Sequence, residues 1–150
     1  MTDGPPDLIA LDQDDYSAEY VGSTSDGRQF FLTTPFVPEM SKSEPGREFI
    51  ALYCFDGSGK LETATIDDLG PRATLDEAAR VARRDELLAS LGNVTFERII
   101  VAPFVVERFG VQFGLIPREP EEPDEDWCVT LQPGDYMCFW PPWDSGEYDT

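Results

Sequence analysis

Short apolar runs separated by turn residues fill the first third of the chain, and they have the two-residue period of β-strands. Residues 16–23 and 28–36 are two such runs, joined across residues 25–27, Ser-Asp-Gly. An Asp-Gly pair between apolar runs is typical of a hairpin, because both central residues of a type I′ turn need positive φ. The pattern therefore predicts an antiparallel pair of strands.

The next run, residues 48–55, is apolar on both faces. Such a pattern predicts a central strand that is covered on both sides. Residues 56–59, Asp-Gly-Ser-Gly, are a turn signal. Residues 60–66 are therefore predicted to return as the second strand of another hairpin.

One helix is predicted after this hairpin. Thr74 and Glu77 have the spacing of a capping box, and Gly92 stands where a glycine often ends a helix. At the helical period, one face is rich in small apolar side chains, and we expect this face to lie on the sheet. Its members are Leu75, Ala78, Ala79, Ala82 and Ala89. The opposite face carries Arg80, Arg83 and Arg84. We expect that basic face to be solvated or to meet one of the acidic ends of the chain.

Two further strands are predicted after the helix, residues 94–102 and 104–116, with a break near Pro103. The second strand alternates an apolar set with a set that contains two glycines. The predicted core set is Phe109, Val111, Phe113 and Leu115. We expect the glycine-bearing face to serve close packing of another backbone, with a ligand as the alternative.

Residues 117–126 hold too many prolines and charges to join a sheet, and they are predicted to form an acidic loop. Residues 127–132 and 136–140 are predicted to pair as a last hairpin across Pro133-Gly134. The aromatic and acidic tail, residues 141–150, is expected to run extended because of its prolines.

These elements predict an α+β fold. We expect a curved, mainly antiparallel sheet of about seven or eight strands in the order ββββ-α-ββββ, with one long helix packed on one face. A partly open β-barrel with one helix is the alternative. Residues 1–15 are predicted to be a loosely packed acidic arm and residues 16–150 a single domain, since a chain of 150 residues suits one domain.

The net charge of −19 changes this picture because it is concentrated at the two ends. Residues 1–27 carry seven acidic side chains and residues 119–150 carry ten, with no base in either segment. Residues 28–118 hold 13 acids and all 11 bases. Such a field repels nucleic-acid phosphates and anionic membranes and attracts basic partners. Solubility alone is the other interpretation of the charge.

The three cysteines, Cys54, Cys128 and Cys138, are predicted to be reduced, as is usual in the cytoplasm, where we expect the protein to reside. With a two-residue turn at Pro133-Gly134, Cys128 and Cys138 point to opposite faces of their hairpin, which disfavours a disulfide. A three-residue loop would place them on one face. The polar first residues predict no signal peptide, and no apolar run approaches the ~20 residues that span a bilayer.

The sequence contains no histidine, which excludes Ser-His-Asp and Cys-His catalysis and His-bearing zinc sites. It also lacks a CxxC pair and a phosphate-binding glycine loop. Residues 144–149 have three carboxylates around a glycine, but not the spacing of a calcium loop. We therefore predict no catalytic residue, no cofactor and no metal site.

The most distinctive segment is the aromatic run of residues 136–143 with the acidic end that follows it. Residues 136–140 are assigned to the core, and residues 143–148 to an exposed recognition surface, because aromatic side chains are enriched in interfaces. Together with the acidic loop, this surface gives a predicted partner-binding set. Its members are Glu121, Glu122, Asp124, Glu125, Asp126, Trp143, Asp144, Glu147 and Tyr148.

These features predict a non-catalytic acidic domain that binds a basic protein partner, for example as an inhibitor. The chain is similar in general character to small acidic bacterial immunity proteins, an analogy that no shared motif supports. One alternative is a small-molecule-binding or carboxylate-dependent enzyme domain with a pocket between helix and sheet. A scaffold or adaptor is the other.

Overall fold

A computed structural model describes residues 5–14, 18–38, 46–134 and 137–143, together with the backbone of residues 146–148. This part of the chain forms thirteen strands and one α-helix. The strands before the helix are β1 (Ile9–Leu11), β2 (Tyr20–Thr24), β3 (Gln29–Thr33), β4 (Phe36–Val37), β5 (Arg47–Phe55) and β6 (Leu61–Pro71). A short 3-10 turn, Arg72–Thr74, leads into α1 (Glu77–Ser90). The strands after it are β7 (Val94–Phe96), β8 (Ile99–Val101), β9 (Phe104–Arg108), β10 (Val111–Arg118), β11 (Cys128–Gln132), β12 (Met137–Phe139) and β13 (Gly146–Tyr148).

Strand β5 lies at the centre of a six-stranded antiparallel sheet. It pairs with β6 on one side and with β3 and then β4 on the other, and β2 and β7 follow beyond β3. The predicted hairpin of β2 and β3 is confirmed, with Gly27 at a φ of 86° in its turn. The prediction of a central strand is confirmed too, because Phe49 and Ile50, which point to opposite faces of β5, are both fully buried.

A second antiparallel sheet has five strands in the order β13-β12-β11-β10-β9. The prediction of one strand over residues 104–116 is wrong, since Phe109 and Gly110 have φ values of 54° and 72° and form the turn between β9 and β10. Phe109 is exposed at this turn instead of lying in the core. A Phe-Gly turn lacks the Asn or Asp that usually marks such positions, so the sequence pattern continues through it.

Residues 94–102 also form two strands rather than one. Strand β7 extends the six-stranded sheet beside β2, whereas β8 pairs with β1 in a separate two-stranded sheet. Ile9 and Leu11 of β1 are buried in the main core. The predicted loose arm over residues 1–15 is therefore wrong at residues 9–11. Burial of the apolar side chains stabilises the folded position of this segment more than the neighbouring acidic residues destabilise it.

The two large sheets pack face to face around the main apolar core. The ring of Phe49 on β5 meets Phe113 on β10 with centroids 5.0 Å apart, and Tyr53 meets Phe104 of β9 at 4.7 Å. The fold is thus mostly antiparallel β-sheet with one helix, as expected, but it has three sheets rather than one curved sheet, and the described strands do not close into a barrel.

Helix α1 covers the outer face of the six-stranded sheet with the side opposite to the predicted one. Leu87 is buried against Phe30, Ile50 and Leu52, while Ala78, Ala79, Ala82 and Ala89 are exposed. The three arginines Arg80, Arg83 and Arg84 lie on the sheet-facing side and keep only 28–32% of their side-chain surface exposed. Their aliphatic stems cover apolar surface, and leucine burial outweighs alanine burial.

The ends of α1 are partly as predicted. Asp76, and not Thr74, caps the first turn, because its carboxylate accepts a hydrogen bond from the N–H of Ala79 at 3.1 Å. Thr74 belongs to the preceding 3-10 turn. Gly92 has a φ of 76° directly after the helix, which confirms the predicted glycine stop.

The last hairpin is confirmed, with a register that differs by one residue from the predicted one. Thr130 pairs with Cys138, and Val129 pairs with Phe139. Val129 and Phe139 are buried in the core, so Cys128, Thr130 and Cys138 all belong to the other, outward face of the sheet. The prediction that the two thiols point to opposite faces is therefore wrong.

Candidate functional site

The acidic loop, residues 119–126, connects β10 to β11 at one edge of the five-stranded sheet. Arg118 and Cys128 are directly paired, so the loop leaves and re-enters the sheet at the same place. The predicted loop over residues 117–126 is too long by two, because Pro117 and Arg118 still pair with β11. Within the loop, the Glu125 N–H donates to the Glu122 carbonyl at 3.1 Å, which closes a turn.

The charge of this loop is displayed to solvent. All residues from Glu121 to Asp126 are exposed. The ion pairs of the described residues lie elsewhere, and none joins a base to Glu121, Glu122, Asp124 or Glu125. One carboxylate has a local role, since that of Glu125 accepts a hydrogen bond from the Glu121 N–H at 3.4 Å. The loop is thus an electronegative projection on one end of the sheet.

The helix arginines do not neutralise the acidic loop. Arg80 pairs with Glu77 of its own helix, and Arg84 pairs with its neighbour Asp85. Arg83 bridges α1 to the sheet by pairing with Asp67 of β6. The expectation that these bases meet an acidic end of the chain is therefore wrong for the described residues. Asp12, one of the described N-terminal acids, pairs with a base distant in the sequence, Arg98, at 3.1 Å.

Two carboxylates near β5 illustrate how the remaining bases are used. Burial raises the pKa of Glu48, although Arg72 lies 2.8 Å from its carboxylate and partly opposes the shift. Burial acts in the same direction on Asp68, but hydrogen bonds from Arg47 and from the Gly70 N–H outweigh it and lower the Asp68 pKa. Both ion pairs lie on the six-stranded sheet, where Arg47 joins β5 to β6 and Arg72 joins β5 to the turn that follows β6.

The outward face of the five-stranded sheet lies next to the acidic loop and carries several polar groups. Thr130 is buried in the middle of this face, and its hydroxyl accepts hydrogen bonds from Arg118 Nε at 3.3 Å and Gln132 Nε2 at 3.0 Å. A shallow depression is lined by Arg118, Gln132 and neighbouring positions Val111, Gln112, Ile116 and Pro133. The face is open to solvent, and its Arg118 directly precedes the acidic loop in the chain.

The predicted packing role of the glycine-bearing face is confirmed at Gly114. A Cβ at this position would lie 2.1 Å from the carbonyl oxygen of Phe104 on β9. The glycine therefore permits β9 and β10 to approach each other.

Two tryptophans of the aromatic run, residues 136–143, have the opposite exposure to the one predicted. Trp140, assigned to the core, is 44% exposed, and it directly follows β12 at the end of the sheet from which the acidic loop projects. Trp143, assigned to the exposed surface, packs partly buried against the main core, and its carbonyl accepts a hydrogen bond from the Ala10 N–H. A recognition surface at this end would thus use Trp140. Successive strand residues point to opposite faces, so with Met137 and Phe139 in the core, Trp140 points outward. This alternation could have predicted its exposure.

The structure does not describe the side chains of the other predicted tail residues. Asp144 lies outside the described residues, and of Glu147 and Tyr148 only the backbone is described, within β13. That strand pairs with β12, so residues 146–148 belong to the sheet and not to a free extended tail.

The thiols differ in their surroundings. Cys54 is buried beneath α1, and burial raises its pKa. Cys128 and Cys138 are half-buried on the outward face of the five-stranded sheet. None of the three forms a disulfide. In the described part of the chain there is no group of three or more Cys, Asp and Glu side chains suited to a metal ion.

In comparisons with known proteins, no family model, no curated protein and no solved structure matches the chain. Among the residues that the structure describes, no helix has the length and apolar character to cross a membrane.

Proposed function

We propose that the protein is a non-catalytic binding domain that uses the acidic loop to engage a basic surface of a protein partner. The observation that carries this proposal is the loop itself: its exposed carboxylates between Glu121 and Glu125 have no ion pair among the described residues, while seven arginines pair elsewhere. Charges that are not satisfied internally remain free to steer a cationic partner and to fix its orientation.

Trp140 supports the proposal because it adds an anchor beside the charge. Exposed tryptophans contribute disproportionately to binding when a partner covers them. Trp140 follows β12, whose Phe139 pairs with Val129 next to the start of β11, so its backbone lies near the loop's return into the sheet. A charged loop and a neighbouring aromatic side chain are the two components of an electrostatically steered interface. An inhibitor or immunity-type protein would be one biological form of such a domain.

The alternative of a pocket between helix and sheet receives no support from the geometry. The space beneath α1 is filled by a cluster of buried side chains around Leu87. The depression that is present lies on the outward face of the five-stranded sheet.

The proposal is tested by neutralising the loop. The variant Glu121→Gln, Glu122→Gln, Asp124→Asn keeps the size and exposure of each side chain. A control variant, Glu19→Gln, Glu62→Gln, Glu107→Gln, removes the same charge from other exposed positions. A protein captured at low salt by the wild-type chain is purified, and its dissociation constant is measured against all three proteins as a function of ionic strength.

We expect the loop variant to bind roughly tenfold more weakly, since three rim charges at about 0.5 kcal/mol each amount to this factor. The control variant should bind nearly as the wild type does, and wild-type binding should weaken with salt. Equal affinities for the loop and control variants, or binding that ignores salt, would remove the loop from the interface and with it the proposed function.

A further inference from the structure

Two half-buried thiols share the outward face of the five-stranded sheet on neighbouring strands. Cys138 pairs directly with Thr130, and Cys128 stands two residues before Thr130 on the same face. From this arrangement we infer that Cys128 and Cys138 together form a two-coordinate site for a soft monovalent metal ion such as Cu(I). This site adjoins the proposed partner interface, because Cys128 follows the acidic loop, but the inference does not rest on the proposed function.

The offset between the two cysteines separates metal binding from disulfide formation. Diagonal neighbours in an antiparallel pair have Cα atoms ~7–8 Å apart, with somewhat shorter Cβ separations. A disulfide requires Cα atoms within about 6.8 Å, so the pair is too far apart without movement of the backbone. Cys128 and Cys138 accordingly form no disulfide in the structure.

A bridging ion spans the wider gap. With metal–sulfur bonds of about 2.3 Å, two sulfurs on opposite sides of one ion lie roughly 4.6 Å apart, more than twice a disulfide bond length. The diagonal offset therefore suits a sulfur–metal–sulfur unit lying across β11 and β12. The outward orientation of both residues leaves an entry path from solvent, while their partial burial restricts competing water.

The chemistry of the site selects the class of ion. Soft thiolate ligands favour Cu(I) over hard cations, and two ligands without a nearby histidine do not complete the tetrahedral set that structural zinc requires. Binding replaces the two thiol protons by one monovalent ion, so two protons are released and the bound unit carries a single negative charge. Arg118, paired directly with Cys128, supplies a positive side chain at the neighbouring register position.

Anaerobic titration of the intact protein with Cu(I), in competition with a chromogenic Cu(I) chelator, tests the inference. We expect one ion per chain, with affinity reduced at least tenfold in Cys128→Ser and equally in Cys138→Ser. Cys54→Ala is the matched control, because that thiol lies on the other sheet beneath α1 and should not change the affinity. X-ray absorption at the copper edge should show two sulfur neighbours.

A second measurement uses the unaltered chain. Bound Cu(I) should protect Cys128 and Cys138 together from alkylation, as mapped by mass spectrometry. Protection of only one of them, retention of full affinity in either serine variant, or loss of affinity in Cys54→Ala alone would overturn the two-thiol site. The serine substitutions change neither the charges of the acidic loop nor Trp140. Loss of Cu(I) binding with partner binding retained, or the reverse, therefore distinguishes failure of one proposal from failure of the other.

Discussion

At the scale of the single residue, contacts that leave no space for a side chain decide local structure in this protein. Gly114 is the clearest case, because its backbone has a φ of 148° and its missing Cβ makes room for the Phe104 carbonyl. L-residues with a side chain rarely adopt this conformation. Steric overlap and backbone strain therefore act together at this position.

Gly114→Ala is expected to destabilise the fold by about 3 kcal/mol or more, since overpacking and backbone strain each cost ~1–3 kcal/mol. Gly57→Ala is the control, because a Cβ there would lie 3.4 Å from the Gly27 carbonyl oxygen, at ordinary contact distance. Urea denaturation of both variants measures the difference. A cost at Gly114 no larger than that at Gly57 would show that β9 can move aside.

The ion pair of Asp68 with Arg47 gives a second residue-scale prediction, on pH dependence. The Asp68 pKa is lowered in the folded state, so its contribution to stability is present above the unfolded value of about 4 and is lost as pH falls through the folded pKa. Asp68→Asn should therefore lower the free energy of unfolding at pH 7 and have less effect with increasing acidity. Denaturation at several pH values checks this.

The Arg47→Gln background provides the control for this pH effect. Without the guanidinium that bonds Asp68, the additional cost of Asp68→Asn at pH 7 should shrink. An Asp68→Asn cost that is the same at pH 3 and pH 7 would contradict the linkage.

At the scale of the element, helix α1 shows how side chains with long stems change which face is buried. The alanine stripe looks like the natural contact with a sheet, but Leu87 and the arginine stems cover more apolar surface. The guanidinium of Arg84 lies 5.4 Å from the Tyr20 ring centroid, and Arg83 reaches Asp67 on β6. The side of the helix that faces the sheet is therefore partly polar.

Leu87→Ala should cost about 2–4 kcal/mol of stability, as buried leucine truncations generally do. Ala82→Lys, on the outward alanine face, should change stability by no more than about 0.5 kcal/mol. Thermal or chemical denaturation of the two variants distinguishes the orientations of the helix. If Ala82→Lys proved the more damaging change, the alanine face would be the one that meets the sheet.

Most elements could be predicted from the sequence. The errors fall where the tertiary contacts of a segment override the structure that its local pattern favours. Hairpins marked by Asp-Gly or Gly-Ser-Gly signals and the glycine stop at Gly92 were predictable, because their turn conformations are encoded locally. The Phe109-Gly110 turn and the division of strands among three sheets were not, since alternation identifies a buried face without naming its partner.

The candidate site was predictable to a similar extent. The exposure of the acidic loop follows from its composition, whereas the positions of Trp140 and the two outward thiols depend on a register one residue away from the expected one. A shift of one residue exchanges the two faces of a strand. Pairing geometry therefore determines the chemistry of this surface.

At the scale of the whole molecule, the net charge of −19 opposes compaction unless counterions screen it. The internal ion pairs use bases of the chain's middle, and in the described structure none of them involves the loop carboxylates between Glu121 and Glu125. Raising NaCl from 0.01 to 0.1 M shortens the screening length from about 30 to 10 Å. Repulsion should thus weaken more than the short-range ion pairs do.

The melting temperature should accordingly rise with this addition of salt, by roughly 3 °C, which corresponds to about 1 kcal/mol. The loop variant Glu121→Gln, Glu122→Gln, Asp124→Asn should show a smaller rise than the control variant at residues 19, 62 and 107, although both remove three charges. The reason is that the loop concentrates its carboxylates, whereas the control positions are dispersed. A melting temperature that falls with salt would mean that internal ion pairs, and not the acidic loop, dominate the electrostatics of the fold.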